Sequence, residues 1–277
     1  GTPPWRTAYV GDSQTDAESA RNAGVYSVGV AFDRAHDRKI LAQAFPRVVG
    51  DSAELQRELR HWIDLLSKAP NEPVSKRVYF MRHCQSTANV KDVLASRIDY
   101  PLSDRGRSDA AIIAAKSRLD VEVVYTSPLT RAYQTAQLMA RHYGIPVIKQ
   151  PELTEHNLGI FSGLTYEELS RRSDYEHDRT QRWSWKPSKG ESYKDVYDRV
   201  VSFVVRVLMS APEQRILCVT HAVTMRLIRA LIEHSAPLYP EGIAHNGEVW
   251  EADITVPGYV HRVRSRLILG EDGMAKA

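Results

Sequence analysis

Short apolar runs alternate with amphipathic stretches from the start of the chain. The runs "TAYVGD", "YSVGV" and "RVVGD" are typical of short buried strands. Between the first two, Asp12 or Ser13 can cap a helix and Gly24 can end it. After the third, Ser52 can cap a second helix, whose apolar face comprises Leu55, Leu59, Trp62, Leu65 and Leu66. Residues 1–68 therefore predict a small α/β segment.

The same alternation continues at greater length after residue 76. The strand-like runs are "RVYFM", "VEVVYTS", "IPVIK" and "RILCVT". The helical stretches include "SDRGRSDAAIIAAKSRL", "PLTRAYQTAQLMARHYG", "ESYKDVYDRVVSFVVRVLMSA" and "AVTMRLIRALIEH". Strands alternating with helices predict an α/β sandwich with a mostly parallel sheet. In such folds the active crevice lies beyond the carboxyl ends of the strands.

A polar stretch with two prolines, "SKAPNEPVSK" at residues 67–76, predicts an interdomain linker. We therefore expect a segment at 1–68, a linker at 69–75, a larger domain at 76–265 and a tail at 266–277. The chain starts with Gly1 and not with Met. This start suggests a fragment of a longer protein.

Composition narrows the class of protein. The 277 residues are 26% charged and 43% hydrophobic, with a formal net charge of +3, as in ordinary globular proteins with a core. No block of Lys or Arg and no apolar run of about 20 residues is present, so neither nucleic acid nor membrane is expected as a partner. Cys84 and Cys218 are too far apart to suggest a zinc knuckle or a disulfide framework. We expect a cytoplasmic protein.

Candidate chemistry lies at three predicted strand ends. "VYFM" runs into Arg82 and His83, "VVYTS" runs into a helix that carries Arg131, and "ILCVT" runs into His221. A parallel sheet brings these ends to one edge. Two histidines and two arginines there form a cationic pocket that suits a compact dianion. Guanidinium groups bind phosphate oxygens with paired, charge-assisted hydrogen bonds, so phosphate is the expected ligand.

The motifs around these residues give a resemblance to a known family. "RHCQSTAN", "DYPLSDRGRSDA", "TSPLTRAYQTA", "LTEHNLGIFSGLTYEEL", "PSKGESYKDVYDRV" and "VTHAVTMR" occur in this order. They resemble the signature segments of the histidine phosphatase superfamily, which also contains the phosphoglycerate mutases. The resemblance spans residues 76 to about 260 and implies that superfamily's three-layer α/β sandwich.

The resemblance also implies roles for individual residues. His83 matches the nucleophile that becomes phosphohistidine, Arg82, Arg131 and His221 match the phosphate clamp, and Glu155 matches the proton donor to the leaving oxygen. Further phosphate contacts are implied for Ser86, Asn89 and Ala222, although Ser86 and Asn89 are also typical turn residues. The implied reaction is metal-independent hydrolysis of a small phosphorylated metabolite, with no cofactor.

Some features depart from the family pattern or leave alternatives open. Cys84 and Ala222 stand where the family usually has glycine, and backbone donation survives there unless those glycines need positive φ. The family's mutases carry long insertions, whereas the catalytic part here is short, which favours a phosphatase over mutase-type phosphotransfer. A non-catalytic phospholigand-binding scaffold is a third possibility. The side chains of Trp183, Trp185 and Lys186 face either the substrate or a packing cluster.

The first segment has a resemblance of its own. "YVGDSQTDAESARNAG" followed by "YSVGV" resembles the last motif of the haloacid dehalogenase superfamily, in which two acids, here Asp12 and Asp16, help to bind magnesium. That family's nucleophile lies in a "DxDxT" segment, which this chain lacks. The segment is therefore expected to be a truncated haloacid dehalogenase-like domain or a degenerate docking module. Its exposed sheet edge would be covered by self-association or by a missing N-terminal portion.

Overall fold

Two separate sheets organise the chain. The computed structural model describes residues 7–32, 35–67, 74–208, 210–256, 259–260 and 264–266. The N-terminal unit, residues 7–67, contains β1 (Ala8–Gly11), α1 (Gln14–Ala23), β2 (Tyr26–Val30), α2 (Ala35–Leu41), β3 (Val48–Val49) and α3 (Ser52–Ser67). Its three strands are parallel in the order β1-β2-β3 and pack on a small core formed by Ala17, Ala31, Leu41 and Phe45.

The larger unit begins with β4 (Val74–Arg82), two residues inside the predicted linker. Its helices are α4 (Thr87–Val90), α5 (Asp104–Ser117), α6 (Thr130–Tyr143), α7 (Tyr166–Ser170), α8 (Tyr193–Ser202) and α9 (Ala222–Ile232). Its other strands are β5 (Val123–Thr126), β6 (Val147–Lys149), β7 (Arg215–Thr220), β8 (Val249–Val256), β9 (Tyr259–Val260) and β10 (Arg264–Arg266). Most of the predicted linker and tail lies outside the described residues.

The large sheet has the order β10-β8-β4-β7-β5-β6, with β9 paired to β8. The four strands β4, β7, β5 and β6 are mutually parallel, as the sequence predicts. Their continuous apolar runs are typical of strands covered on both faces. Alternate residues point to opposite faces, so Val78 and Phe80 pack with α8 and α9, whereas Tyr79 and Met81 pack with α5 and α6. These helices on both faces of the sheet confirm the three-layer α/β prediction.

Several local features differ from the sequence predictions. The long strand β8 was not predicted, and it lies antiparallel beside β4 over eight residue pairs. The carboxylate of Asp51, not Ser52, accepts from the Glu54 amide at the start of α3. The predicted long helix after Glu191 changes to π-helical geometry at Phe203–Leu208. No helix in the described part of the chain has the length and apolarity needed to cross a bilayer.

The two units contact each other through a buried arginine and a tryptophan. Arg47 of the N-terminal unit pairs with Glu58 at 2.8 Å and with Asp198 of α8 at 2.7 Å. The indole N–H of Trp183, in the loop before α8, donates to the Pro46 carbonyl at 3.0 Å. Because Arg47 is only 6% exposed and two carboxylates balance its charge, this contact is a specific interface.

Candidate active site

Adjacent parallel strands bring the predicted strand-end residues together. Arg82 is the last residue of β4, and the His83 amide that follows donates to the Thr220 carbonyl of β7 at 3.0 Å. His221 follows β7 directly, so its ring lies 5.1 Å from the His83 ring, centroid to centroid. Arg131 lies in the first turn of α6, the helix that follows the neighbouring strand β5, and its side chain reaches His83. All four side chains are buried.

The His83 ring is held in one orientation. Its Nδ1 lies 2.7 Å from the Cys84 carbonyl oxygen, which only accepts, so Nδ1 carries the hydrogen and Nε2 has the lone pair. Nε2 faces Arg131 Nε at 3.3 Å. Burial and the charges of Arg131 and Arg82 hold the His83 pKa well below its ordinary value. The ring is therefore neutral near pH 7, which is the form that a nucleophile requires.

The Arg131 guanidinium is fixed by the backbone of one loop. Its two terminal nitrogens donate to the carbonyls of Ile98 at 3.1 Å and Ser96 at 2.7 Å. Ser96 has a φ of +48°, a left-handed conformation that is uncommon outside glycine. With these bonds in place, the remaining Nε–H points at the His83 ring.

Arg82 and His221 each retain a buried nitrogen with no hydrogen-bond partner among the described residues. Arg82 donates from one terminal nitrogen to the Ala244 carbonyl at 2.7 Å, and its Nε is unpartnered. His221 Nε2 lies 2.8 Å from Ser127 Oγ, and its Nδ1 is unpartnered. Buried polar atoms are normally hydrogen-bonded in proteins, so such atoms indicate where a polar ligand binds. Burial and the nearby arginines also hold the His221 pKa well below its ordinary value.

Glu155 lies at the N-terminus of α9. Its carboxyl oxygens accept from the amides of His156 at 2.9 Å, Thr224 at 3.2 Å and Val223 at 3.3 Å. The Thr224 hydroxyl adds a fourth contact at 3.3 Å. The half-buried carboxyl is fixed at the start of the helix that directly follows His221.

Ser86 and Asn89 form a capping box at the start of α4. The Asn89 amide donates to Ser86 Oγ, and Asn89 Oδ1 accepts from the Ser86 amide at 3.0 Å. The side chain of Asn246 joins this box to the site, because its Nδ2 donates to the His83 carbonyl at 3.0 Å and to Asn89 Oδ1 at 3.3 Å. Ser86 and Asn89 therefore have the local structural role that was the alternative to phosphate binding, and their contact with phosphate stays a prediction.

Neither residue that replaces a family glycine adopts positive φ. Cys84 is 1% exposed, and its amide donates to Thr135 Oγ1 at 3.2 Å. Burial raises the pKa of its thiol, which favours the protonated, less nucleophilic form. Ala222 is the first residue of α9, and its small side chain is 8% exposed.

The tryptophans and Lys186 predicted as substrate-side candidates make contacts within the protein. Trp183 is 3% exposed and bonds to the N-terminal unit. Trp185 packs edge-on against Tyr175, with ring centroids 5.1 Å apart, and Lys186 pairs with Asp195 at 2.9 Å. These contacts fit the packing alternative, and a substrate contact for them stays a prediction.

The carboxylate of Asp16 is engaged in hydrogen bonds at the start of α1. It accepts from Ser13 Oγ at 2.7 Å, from the amides of Asp12 and Ser13 at 3.2 Å each, and from Tyr9 Oη at 2.8 Å. Ser13 is the cap, one of the two residues the sequence allowed, and it closes a capping box with Asp16. Among the described residues, no group of three or more His, Cys, Asp or Glu side chains is arranged to hold a metal ion.

Some site residues were not predicted from the sequence as functional. They orient the reacting groups: Ser96 receives Arg131, Ser127 contacts His221, Thr224 holds Glu155 and Asn246 joins His83 to α4. Ser127 and Thr224 lie inside the motifs "TSPLTRAYQTA" and "VTHAVTMR", so their place in the site could have been predicted from the sequence. Ser96 and Asn246 lie outside every motif, and only the fold brings them to the site.

Known proteins resemble the chain over the larger unit. The sequence profile of the histidine phosphatase superfamily (branch 1) matches residues 78–257. Phosphoserine phosphatase 1 of Hydrogenobacter thermophilus is 34% identical over 156 residues, which are 54% of this chain and 72% of that protein. A 2,3-bisphosphoglycerate-dependent phosphoglycerate mutase of Azorhizobium caulinodans is 31% identical over 61% of this chain and 86% of its own length. The alpha-ribazole phosphatase structure from Shigella flexneri superposes with a TM-score of 0.58 at 26% identity, covering 68% of this chain and 95% of that one.

Proposed function

The chain belongs to the histidine phosphatase superfamily, and from this premise we propose that it is a metal-independent phosphomonoesterase acting on a small phosphorylated metabolite. The observation that carries the proposal is the His83 ring, neutral and tautomerically fixed, with Nε2 facing the Arg131 guanidinium at 3.3 Å. A nucleophile and an anion clamp in direct contact are the parts that phosphoryl transfer to an imidazole requires.

In the first step, His83 Nε2 attacks phosphorus and the bond to the ester oxygen breaks. Arg82, Arg131 and His221 surround His83, and their nitrogens stabilise the negative oxygens of the transferring group. Glu155 gives a proton to the departing oxygen, which leaves as an alcohol. In the second step, water attacks the phosphohistidine, its proton passes to Glu155, and the nitrogen–phosphorus bond breaks to release inorganic phosphate.

Two guanidinium groups and one carboxyl group meet in this buried site, while both histidines favour the neutral state. The fixed positive charge offsets the charge of a phosphate dianion, which is the role that a divalent metal has in other phosphatases. This charge arrangement supports the proposal of metal independence.

Turnover of p-nitrophenyl phosphate tests the proposal. We expect activity in the presence of EDTA, loss of activity in His83→Ala, and unchanged activity in His142→Ala, which alters an exposed histidine on α6. Rapid quenching without acid should trap phosphohistidine in the wild-type protein and not in His83→Ala. Full activity of His83→Ala would contradict the mechanism.

The alternatives give different results in the same assays. A phosphoglycerate mutase-type enzyme would hold its phosphohistidine without hydrolysis and pass the phosphoryl group to added 3-phosphoglycerate. A phospholigand-binding scaffold would bind inorganic phosphate yet form no phosphohistidine. The relatives include both a phosphatase and a mutase. Whether the phosphoryl group passes to water or to 3-phosphoglycerate therefore decides between the two enzymatic reactions.

For the N-terminal unit we propose a degenerate docking module related to haloacid dehalogenases. The capping role of Asp16 supports this over an active magnesium site, because its carboxylate already accepts four hydrogen bonds. Isothermal titration with Mg²⁺ tests the proposal, and we expect the same heats from the wild-type protein and from Asp12→Asn. Tight Mg²⁺ binding that depends on Asp12 would support the active-site alternative.

A further inference from the structure

A cleft lies between the N-terminal unit and the larger unit, far in sequence from the strand ends described above. One wall is α2 with the turn that follows it, and the other is the loop before α8 with the start of α8. The cleft has a volume of about 440 Å³. Small-molecule sites in proteins have volumes of about 300–1,000 Å³ and occur preferentially at domain interfaces. The cleft therefore has the size and position of a ligand site.

Three cationic side chains line the cleft, and none of the described residues that line it is acidic. Arg38 is held by Glu54 at 3.2 Å and Lys194 by Asp198 at 2.9 Å, so both carboxylates lie outside the lining. Lys39 is exposed and has no carboxylate partner among the described residues. Because Arg38 and Lys194 are already paired, Lys39 supplies the uncompensated positive charge that attracts an anion into this concave surface.

Apolar side chains form another part of the lining. Ala42, Pro46 and Val48 are half-buried, so part of their apolar surface is accessible, whereas Phe45 is fully buried and Trp183 is 3% exposed. The Trp183 indole is fixed, because its N–H donates to the Pro46 carbonyl and its ring packs 5.2 Å from the Tyr197 ring. Apolar surface beside lysine and arginine suits a molecule that carries both a ring and an anionic group.

We propose that this cleft binds a small organic anion, with a phosphate or carboxylate group facing Lys39, Arg38 and Lys194 and a ring packed against Pro46 and Val48. Its lining shares no residue with the active site, and its existence does not depend on the proposed catalysis. Each unit contributes a wall, so the ligand would also hold the two units together.

Calorimetric titration with phenylphosphonate tests the proposal. This probe carries a ring and a dianion, and its phosphorus–carbon bond is not the ester that the proposed reaction cleaves. We expect two molecules per chain in the wild-type protein, one in the active site and one in the cleft. The double variant Lys39→Ala/Lys194→Gln should bind one, and Lys116→Ala, an exposed lysine on α5, should still bind two.

The stoichiometry separates this proposal from the proposed function. One molecule in the wild-type protein and none in the double variant would support the cleft and contradict the active site. One molecule in both proteins would overturn the cleft. The double variant breaks the ion pair between Lys194 and Asp198 and could therefore fail to fold, whereas the single variant Lys39→Ala keeps that pair. Lys39→Ala should weaken binding of phenylphosphonate in the cleft about tenfold, or about 1.4 kcal/mol. Unchanged affinity in folded Lys39→Ala would also overturn the proposal.

Discussion

Replacing Arg131 by lysine keeps the charge but removes the fork that the structure uses. The guanidinium donates in three directions, to the carbonyls of Ser96 and Ile98 and to the His83 ring. A lysine has one nitrogen on a flexible stem, so it cannot reach three acceptors on different sides. The variant therefore tests whether geometry, and not charge alone, makes Arg131 a phosphate clamp.

The expected magnitude follows from the hydrogen bonds that the substitution removes. Removing one donor that stabilises charge in a transition state lowers kcat by about 10²–10³-fold, or about 2.7–4 kcal/mol. In Arg131→Lys the single nitrogen can reach at most one of the two carbonyls of Ser96 and Ile98, so one of them loses its charged donor, and such a bond contributes about 1.5–3 kcal/mol. We expect kcat to fall at least about 100-fold and the free energy of unfolding to fall by about 2 kcal/mol.

The assay is steady-state turnover of p-nitrophenyl phosphate with kcat and KM determined separately, alongside urea unfolding of the same sample. Arg105→Lys on α5 is the matched control, because the Arg105 side chain is about half exposed and its guanidinium lies 3.7 Å from Asp109 on the same helix. Its kcat should equal that of the wild type. A kcat for Arg131→Lys within about threefold of wild type, less than 1 kcal/mol by transition-state arithmetic, would refute the clamp.

Three further outcomes are expected. Native-state stability should fall as the pH drops below about 6.5, because burial holds the pKa values of His83 and His221 below those of the unfolded chain, which then binds more protons. Urea unfolding between pH 7 and pH 5 measures this loss. A steeper loss of stability in His221→Gln than in wild type would contradict the prediction. Ser13→Ala should reduce the stability of the N-terminal unit by about 1 kcal/mol through loss of the capping box, and turnover of p-nitrophenyl phosphate should be unchanged. Equal protection of the α1 amides from hydrogen exchange in variant and wild type would argue against the cap. Cys84, with a thiol pKa raised by burial, should resist dithionitrobenzoate in the native protein and react after unfolding, and rapid native labelling that disappears in Cys84→Ser would show an accessible thiol.

The order and type of the main elements could be predicted from the sequence. Continuous apolar runs such as "RILCVT" are typical of strands covered on both faces, and the helices between them have one apolar face. The strand β8 was not predicted because "VWEADITV" mixes apolar and charged residues, and its pairing with β4 depends on residues about 170 positions away in sequence. The cap at Asp51 was not predicted because aspartate and serine are almost equally good caps.

The sequence by itself determined which residue types end the parallel strands, and therefore that Arg82, His83 and His221 meet at one edge of the sheet. This follows because parallel strands with apolar cores leave their polar residues at the carboxyl ends. Only the tertiary structure decided how those residues are held. The tautomer of His83 depends on one carbonyl, and Asp16 completes a capping box because the cap, Ser13, lies three positions before it. The placement of Trp183 against the N-terminal unit likewise depends on contacts distant in sequence, which no local pattern specifies.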